Sequence, residues 1–158
     1  MIKISLLGLA LAGFVSVQGF AAELDKECKL TIQGTDTMQY QVGGTQLADI
    51  TAPESCRGKV ITLNLEHSGK LDKKIMGHNI AVVEVAKQQA VANASLTTAD
   101  HVPPKMDGLV AHSETVGGGG KTSVAIPAKT LKAGTNYGII CTFPGHSGIM
   151  KATLTFKK

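Results

Sequence analysis

Apolar residues recur at every second position along several short stretches of this chain, with polar residues keeping the alternation between them. Leu30 and Ile32 stand among Lys29, Thr31 and Gln33; Ile61, Leu63 and Leu65 alternate with Thr62 and Asn64. Val124 and Ile126 alternate with Ser123 and Ala125, and Ala152, Leu154 and Phe156 with Lys151, Thr153 and Thr155. Tyr137 and Ile139 share a face with Cys141, and the more fully apolar run Ile80, Val82, Val83, Val85 follows His78. Period-two stretches bounded by turn residues predict short strands closing on one core, about seven or eight of them, in an all-β sandwich.

The pattern changes once. Ala86 to Ala94 is rich in good helix formers and Pro103-Pro104 bars its continuation, so a helical insertion is expected between strands. Gly117 to Gly120 lacks the spacing of a phosphate loop and reads as a hairpin turn.

Met1 to Ala21 has a basic start at Lys3, an apolar run from Ile4 to Val15, and small residues at Gly19 and Ala21. This predicts a secretory signal peptide over 1–21, a domain over 22–158, and a periplasmic location. The apolar run falls short of the roughly 20 residues that span a bilayer, so no stable membrane association is expected. Removing Lys3 lowers the net charge from +4 to +3. Basic and acidic residues are scattered without a basic cluster, which argues against a nucleic-acid partner and for a monomer that meets partners briefly.

Three cysteines make an odd count, and in an exported chain the odd one needs a reason to stay unpaired. Cys28 and Cys56 flank early strands without ligand-type neighbours and read as a disulfide. Cys141 is left over. A free thiol persists in an oxidising compartment when a metal holds it as thiolate; an inert buried thiol is the plain alternative.

Cys141-Thr142-Phe143-Pro144-Gly145-His146-Ser147-Gly148-Ile149-Met150 puts a thiol, an imidazole and a thioether on one loop between apolar strands. Pro144-Gly145 supplies its bend. Met76-Gly77-His78-Asn79 offers a second imidazole, which only the fold can bring to the first. Carboxylates are absent, which disfavours Mg²⁺ and Ca²⁺, and structural zinc gains little from a thioether. Copper is the better match, because a His₂Cys trigonal set with a long axial Met is the general rule for blue-copper sites.

These stretches, CTFPGHSGIM with MGHN, resemble the azurins among the bacterial cupredoxins, the type 1 blue copper family. The likeness extends from Cys28-Lys-Leu-Thr-Ile-Gln-Gly through Leu65-Glu-His-Ser-Gly-Lys-Leu and Leu109-Val-Ala-His to Leu154-Thr-Phe. It implies a cupredoxin-like Greek-key sandwich and one copper cycling between Cu(I) and Cu(II). His78, Cys141 and His146 would be the strong ligands, Met150 the axial one, and the Gly77 carbonyl a distant fifth contact. The backbone N–H groups of Asn79 and Phe143 would point at the Cys141 sulfur, Cys28 and Cys56 would match the family disulfide, and His67 would lie near the copper without binding it. An exposed edge of His146 would be the electron portal, ringed by Met38, Leu71, Ile75, Met76, Phe143 and Gly145. Ile80 departs from the pattern, standing where well-studied relatives often carry a buried Trp.

Three functions compete for this ligand set. Its side-chain positions are all filled and no base is placed to move protons, so metal-assisted hydrolysis lacks its parts and one-electron transfer remains. The expected role is a periplasmic electron carrier, not an enzyme, with c-type cytochromes and periplasmic reductases or oxidases as the partners implied by the resemblance. Copper storage would use the same metal but favours exposed Met and His clusters, and a thiol enzyme built on Cys141 and His146 lacks an orienting third group.

Overall fold

The alternating stretches become strands wherever one face can be buried, and the computed structural model describes residues 19–132 and 134–156. In chain order the elements are β1 (Phe20–Glu23), β2 (Lys29–Gly34), β3 (Tyr40–Val42), β4 (Thr45–Ala52), β5 (Val60–His67), α1 (Lys73–Met76), β6 (Ala81–Glu84), α2 (Gln88–Ser95), β7 (Leu109–His112), β8 (Lys121–Pro127), β9 (Tyr137–Ile140) and β10 (Lys151–Phe156). The expected signal peptide lies largely outside the described residues, although Phe20 and Ala21 stand in β1.

Neighbouring strands run β7-β6-β9-β10-β4-β3-β2-β5-β8, with β1 also on β4. Strand β4 belongs to both halves. Its Thr45 and Gln46 pair antiparallel with β3, whereas Asp49 to Ala52 pair parallel with β10. One sheet is therefore β7-β6-β9-β10 with the end of β4, the other β3-β2-β5-β8 with its beginning. Side chains of both inner faces, among them Ile32, Leu47, Ile50, Ile61, Leu63, Leu65, Val82, Ile126, Ile139 and Leu154, form one core. Burial of such side chains contributes about 1.5–3 kcal/mol each.

Ten strands are present among the described residues, more than the seven or eight expected. The alternation hides β4 because its buried residues are Leu47, Ile50 and Ala52, a pattern that skips a beat where the strand changes sheets. Strand β3 is too short to show a period. Val85 is not part of the β6 strand; it opens a 3-10 turn and is exposed.

The insertion forms as expected and explains why β6 is apolar on both faces. Val82 points into the main core, while Ala81 and Val83, with Ile140, are covered by Val91 and Ala92 of α2 together with Met106 and Leu109.

Gly117 to Gly120 is not a hairpin turn, since β7 pairs with β6 and β8 with β5. The glycines cross between the sheets against the loop leading to α1. Gly118 N–H donates to the Leu71 carbonyl at 2.8 Å and Gly119 N–H to the His67 carbonyl at 2.9 Å. A Cβ on Gly118 would lie 2.6 Å from the Lys70 backbone, so the close approach excludes side chains there.

Candidate metal centre

Strands carry the donors to one end of the sandwich. Cys141 directly follows β9, Met150 directly precedes β10, and His78 lies in the four-residue segment between α1 and β6. Cys141 N–H donates to the Met150 carbonyl at 3.1 Å and Met150 N–H to the His146 carbonyl at 2.8 Å, which folds the ligand loop back on itself. Gly145 turns that loop with φ +81°. An isolated bridge between His78 and Val116 anchors the other side.

The ligand atoms of His78, Cys141 and His146 all lie within 4.8 Å of one another, and all three residues are buried. Cys141 Sγ is 3.9 Å from His78 Nδ1, 3.6 Å from His146 Nδ1 and 3.8 Å from the Gly77 carbonyl oxygen. His78 Nε2–H donates to the Thr35 carbonyl at 2.8 Å, which leaves its Nδ1 lone pair facing the sulfur. Met150 is fully buried.

Burial pushes the Cys141 thiol up to about 11, against the backbone N–H groups of Asn79 and Phe143, which favour the thiolate. Burial also lowers His78 and His146 to about 4. In His78 the Thr35 hydrogen bond opposes this; in His146 the neighbouring histidines add to it. A thiol and two neutral imidazoles, converging on one point, fit a soft or borderline cation and give a hard one no carboxylate.

The histidine shifts set a pH dependence for the copper-free protein. Their folded values of about 4 lie below the ordinary 6.5, so the unfolded chain takes up these protons first. Stability from these groups is present above pH 6.5 and is lost as pH falls from about 6.5 to about 4. Denaturant titrations of the copper-free protein across that window are expected to show a falling midpoint; an unchanged one would contradict the assignment.

Asn79 ties the two ligand-bearing segments together. Its Oδ1 accepts from Thr142 N–H at 2.9 Å, and its Nδ2 donates to Thr142 Oγ1 at 2.8 Å and Thr115 Oγ1 at 3.0 Å. The Thr142 hydroxyl passes its own proton to the His101 carbonyl at 2.7 Å, and the Thr115 hydroxyl donates to the Asp100 carbonyl at 2.6 Å. The Tyr40 hydroxyl donates to the Asn79 carbonyl. Asp100 and His101 adopt left-handed φ values of +54° and +55°, a conformation that costs roughly 1–2 kcal/mol per residue. Their carbonyls accept the hydrogen bonds of the two threonine hydroxyls.

His67 lies on His78, ring centroids 4.3 Å apart and 17° from parallel. Both its nitrogens are engaged: Nε2–H donates to the Met76 carbonyl at 2.7 Å and Nδ1 accepts from Gly69 N–H at 3.1 Å. It is a neighbour of the ligands. Cys28 and Cys56 are disulfide-bonded and Cys141 is the free cysteine, as the odd count implied.

His146 is only 3% exposed, so the expected open edge is reduced to a sliver. Of the residues expected to ring it, Ile75 is 64% and Leu71 38% exposed, Met38, Met76 and Phe143 are half-buried, and Gly145 is exposed. The Phe143 ring lies 4.9 Å from that of His146 and meets His101 edge-on at 5.2 Å. Thr35, Asp100, His101 and Thr115 were not legible as part of the site, because three of them contribute backbone carbonyls, which leave no mark in a sequence. Thr142 lay inside the quoted loop, but its role depends on Asn79 arriving from elsewhere.

A two-sheet sandwich closing one end over a buried cysteine and two histidines defines the cupredoxin class. Residues 26–157 match the family of copper binding proteins described as plastocyanin/azurin. Azurin of Pseudomonas aeruginosa is 39% identical over 137 residues, covering 85% of this chain and 88% of the relative, and azurin of Pseudomonas putida is 38% identical, covering 83% and 99%. A solved azurin (Az-iso2) from the obligate methylotroph Methylomonas sp. strain J superposes with a TM-score of 0.73 at 33% identity, covering 83% of this chain and 98% of that one. The chain belongs to the plastocyanin/azurin family of copper binding proteins. Copper is therefore the metal of this protein, His78, Cys141 and His146 form a cluster that could hold a metal ion, and the protein is a blue copper electron-transfer protein.

Proposed function

We propose that this protein carries single electrons in the periplasm between c-type cytochromes and periplasmic reductases or oxidases. The observation that carries the reading is the buried convergence of Cys141 with His78 and His146. Copper bound there supplies a one-electron couple. The set of strong ligands is His78, Cys141 and His146, with Met150 as axial ligand and the Gly77 carbonyl more distant. With these positions filled no coordination place is kept for a substrate, and we assign no catalytic residue.

The chain's own work is to hold its donors still. Asn79 fixes the His78 segment to the Cys141 loop through Thr142, and a ligand frame that does not move between oxidation states keeps reorganisation small. The N–H groups of Asn79 and Phe143 favour negative charge on the Cys141 sulfur and so tune the centre. Electrons enter and leave by the His146 side, where Met38, Leu71, Ile75, Met76, Phe143 and Gly145 offer an apolar rim suited to short-lived docking.

Export by residues 1–21, cut after Ala21, belongs to the same reading. Such a cut keeps Ala22 and Glu23 of β1, which pair with Ile50 and Thr51.

Cu(II) added to the purified protein is expected to give an intense blue colour from thiolate-to-copper charge transfer. Stopped-flow mixing of the blue protein with a reduced c-type cytochrome is then expected to bleach it rapidly. A colourless product would sink the copper reading; a blue protein inert toward cytochromes and reductases would leave the centre and remove the carrier role.

A further inference from the structure

Gly34, the last residue of β2, is a glycine whose backbone does not ask for one. It is absent from the left-handed residues of the chain, so conformation alone would admit any side chain. Space forbids it. A Cβ built on Gly34 would stand 2.7 Å from His78 Cδ2, 3.3 Å from His78 Cγ and 3.3 Å from the Met150 methyl carbon. Ordinary carbon contacts are about 3.5–4.0 Å. The missing side chain is thus replaced by two ligand side chains that arrive from elsewhere in the chain.

Register explains how the slot arises. Gly34 and His67 are partners on the adjacent strands β2 and β5. The His67 ring stands up from β5, the place beside it on β2 is empty, and the His78 ring fills it, stacked on His67 at 4.3 Å. Both sides are held by hydrogen bonds. The Gly34 carbonyl accepts from Ser68 N–H at 2.8 Å and Ser68 Oγ at 3.1 Å, which pins the strand. His78 Nε2 is held 2.8 Å from the carbonyl of Thr35, the next residue.

We infer that Gly34 is a positioning residue of the copper centre: its lack of a side chain forms the slot that sets where the His78 imidazole and the Met150 thioether stand relative to Cys141. The inference rests on the copper reading above and adds a residue that offers no donor atom. A single methyl at this position moves the His78 ring edge outward, because Cδ2 is the atom nearest the new carbon. Both a strong ligand and the axial one then lie off their places, while the donor set is chemically unchanged.

The test compares Gly34→Ala with Gly148→Ala, a glycine in the ligand loop whose Cβ would meet nothing within 4 Å. In the copper-free protein, Gly34→Ala is expected to displace the NMR signals of the His78 ring. After Cu(II) addition it is expected to shift the charge-transfer band and the reduction potential and to weaken copper binding about tenfold or more. Gly148→Ala is expected to leave all of these in place. A folded Gly34→Ala protein with unmodified ring signals, band, potential and affinity would overturn the proposal. If Gly34→Ala does not fold, Gly34→Ala combined with His78→Ala decides: the slot predicts that removing the ring restores folding, and a double variant that is also unfolded would refute it. A native protein that stays colourless with Cu(II) overturns the copper reading alone, since the ring signals of the copper-free protein still decide the slot.

Discussion

Cys141→Ser is expected to abolish the blue absorption of the copper-loaded protein and the proton release that accompanies metal uptake. Burial holds the Cys141 thiol protonated up to about 11, so at neutral pH copper must displace its proton. His78 and His146, at about 4, have none to give. The native protein should therefore release about one proton per copper near pH 7, and the serine variant none, because a hydroxyl does not ionise there. The fold should survive, because Ser is no larger than Cys and introduces no clash at this buried position. Visible absorption and calorimetric titration in two buffers of different ionisation enthalpy measure both effects. A variant that stayed blue, or released as many protons as the native protein, would remove Cys141 from the ligand set.

Asn79→Ala is expected to destabilise the fold strongly, although the Asn79 side chain offers no donor to the metal. It removes the acceptor of Thr142 N–H and the donor that reaches Thr142 and Thr115, all in a buried setting. An orphaned amide and the cavity left by the carboxamide together cost about 2–4 kcal/mol. Because Asn79 is the tie between the His78 and Cys141 segments, the loss should also change the charge-transfer band of the loaded protein. Denaturant unfolding of the copper-free variant reads the first effect, and a loss below about 1 kcal/mol would show that the network is redundant.

The ligand loop was legible because four chemically distinctive side chains fall within one short stretch and one tetrapeptide. The strands β2, β5, β8 and β10 were legible because each keeps one face to the core along its whole length. Strand β4 was not, since it serves two sheets and its inward positions change parity on the way. Gly117 to Gly120 misled for a related reason: glycines signal close approach as readily as a turn, and only the strand pairing separates the two. The rest of the site is backbone. The Thr35, Asp100 and His101 carbonyls and the empty place at Gly34 are properties of position, and a sequence records a missing side chain without saying what fills the gap.

The donors and their supports come from different sheets. His78, Cys141 and Met150 adjoin β6, β9 and β10, while Gly34, Thr35 and His67 end or follow β2 and β5 of the other sheet. Cys28 stands just before the opposite end of β2 and is bonded to Cys56. Strand β2 is thus held at both ends, roughly 20 Å apart at about 3.3 Å per residue: by the disulfide just before its first residue, and at its last by the contacts that Gly34 and Thr35 make with the His78 ring. Copper fixes the His78 ring that the second hold grips, so chelating it should loosen the ligand end of the strand while the disulfide end stays shut.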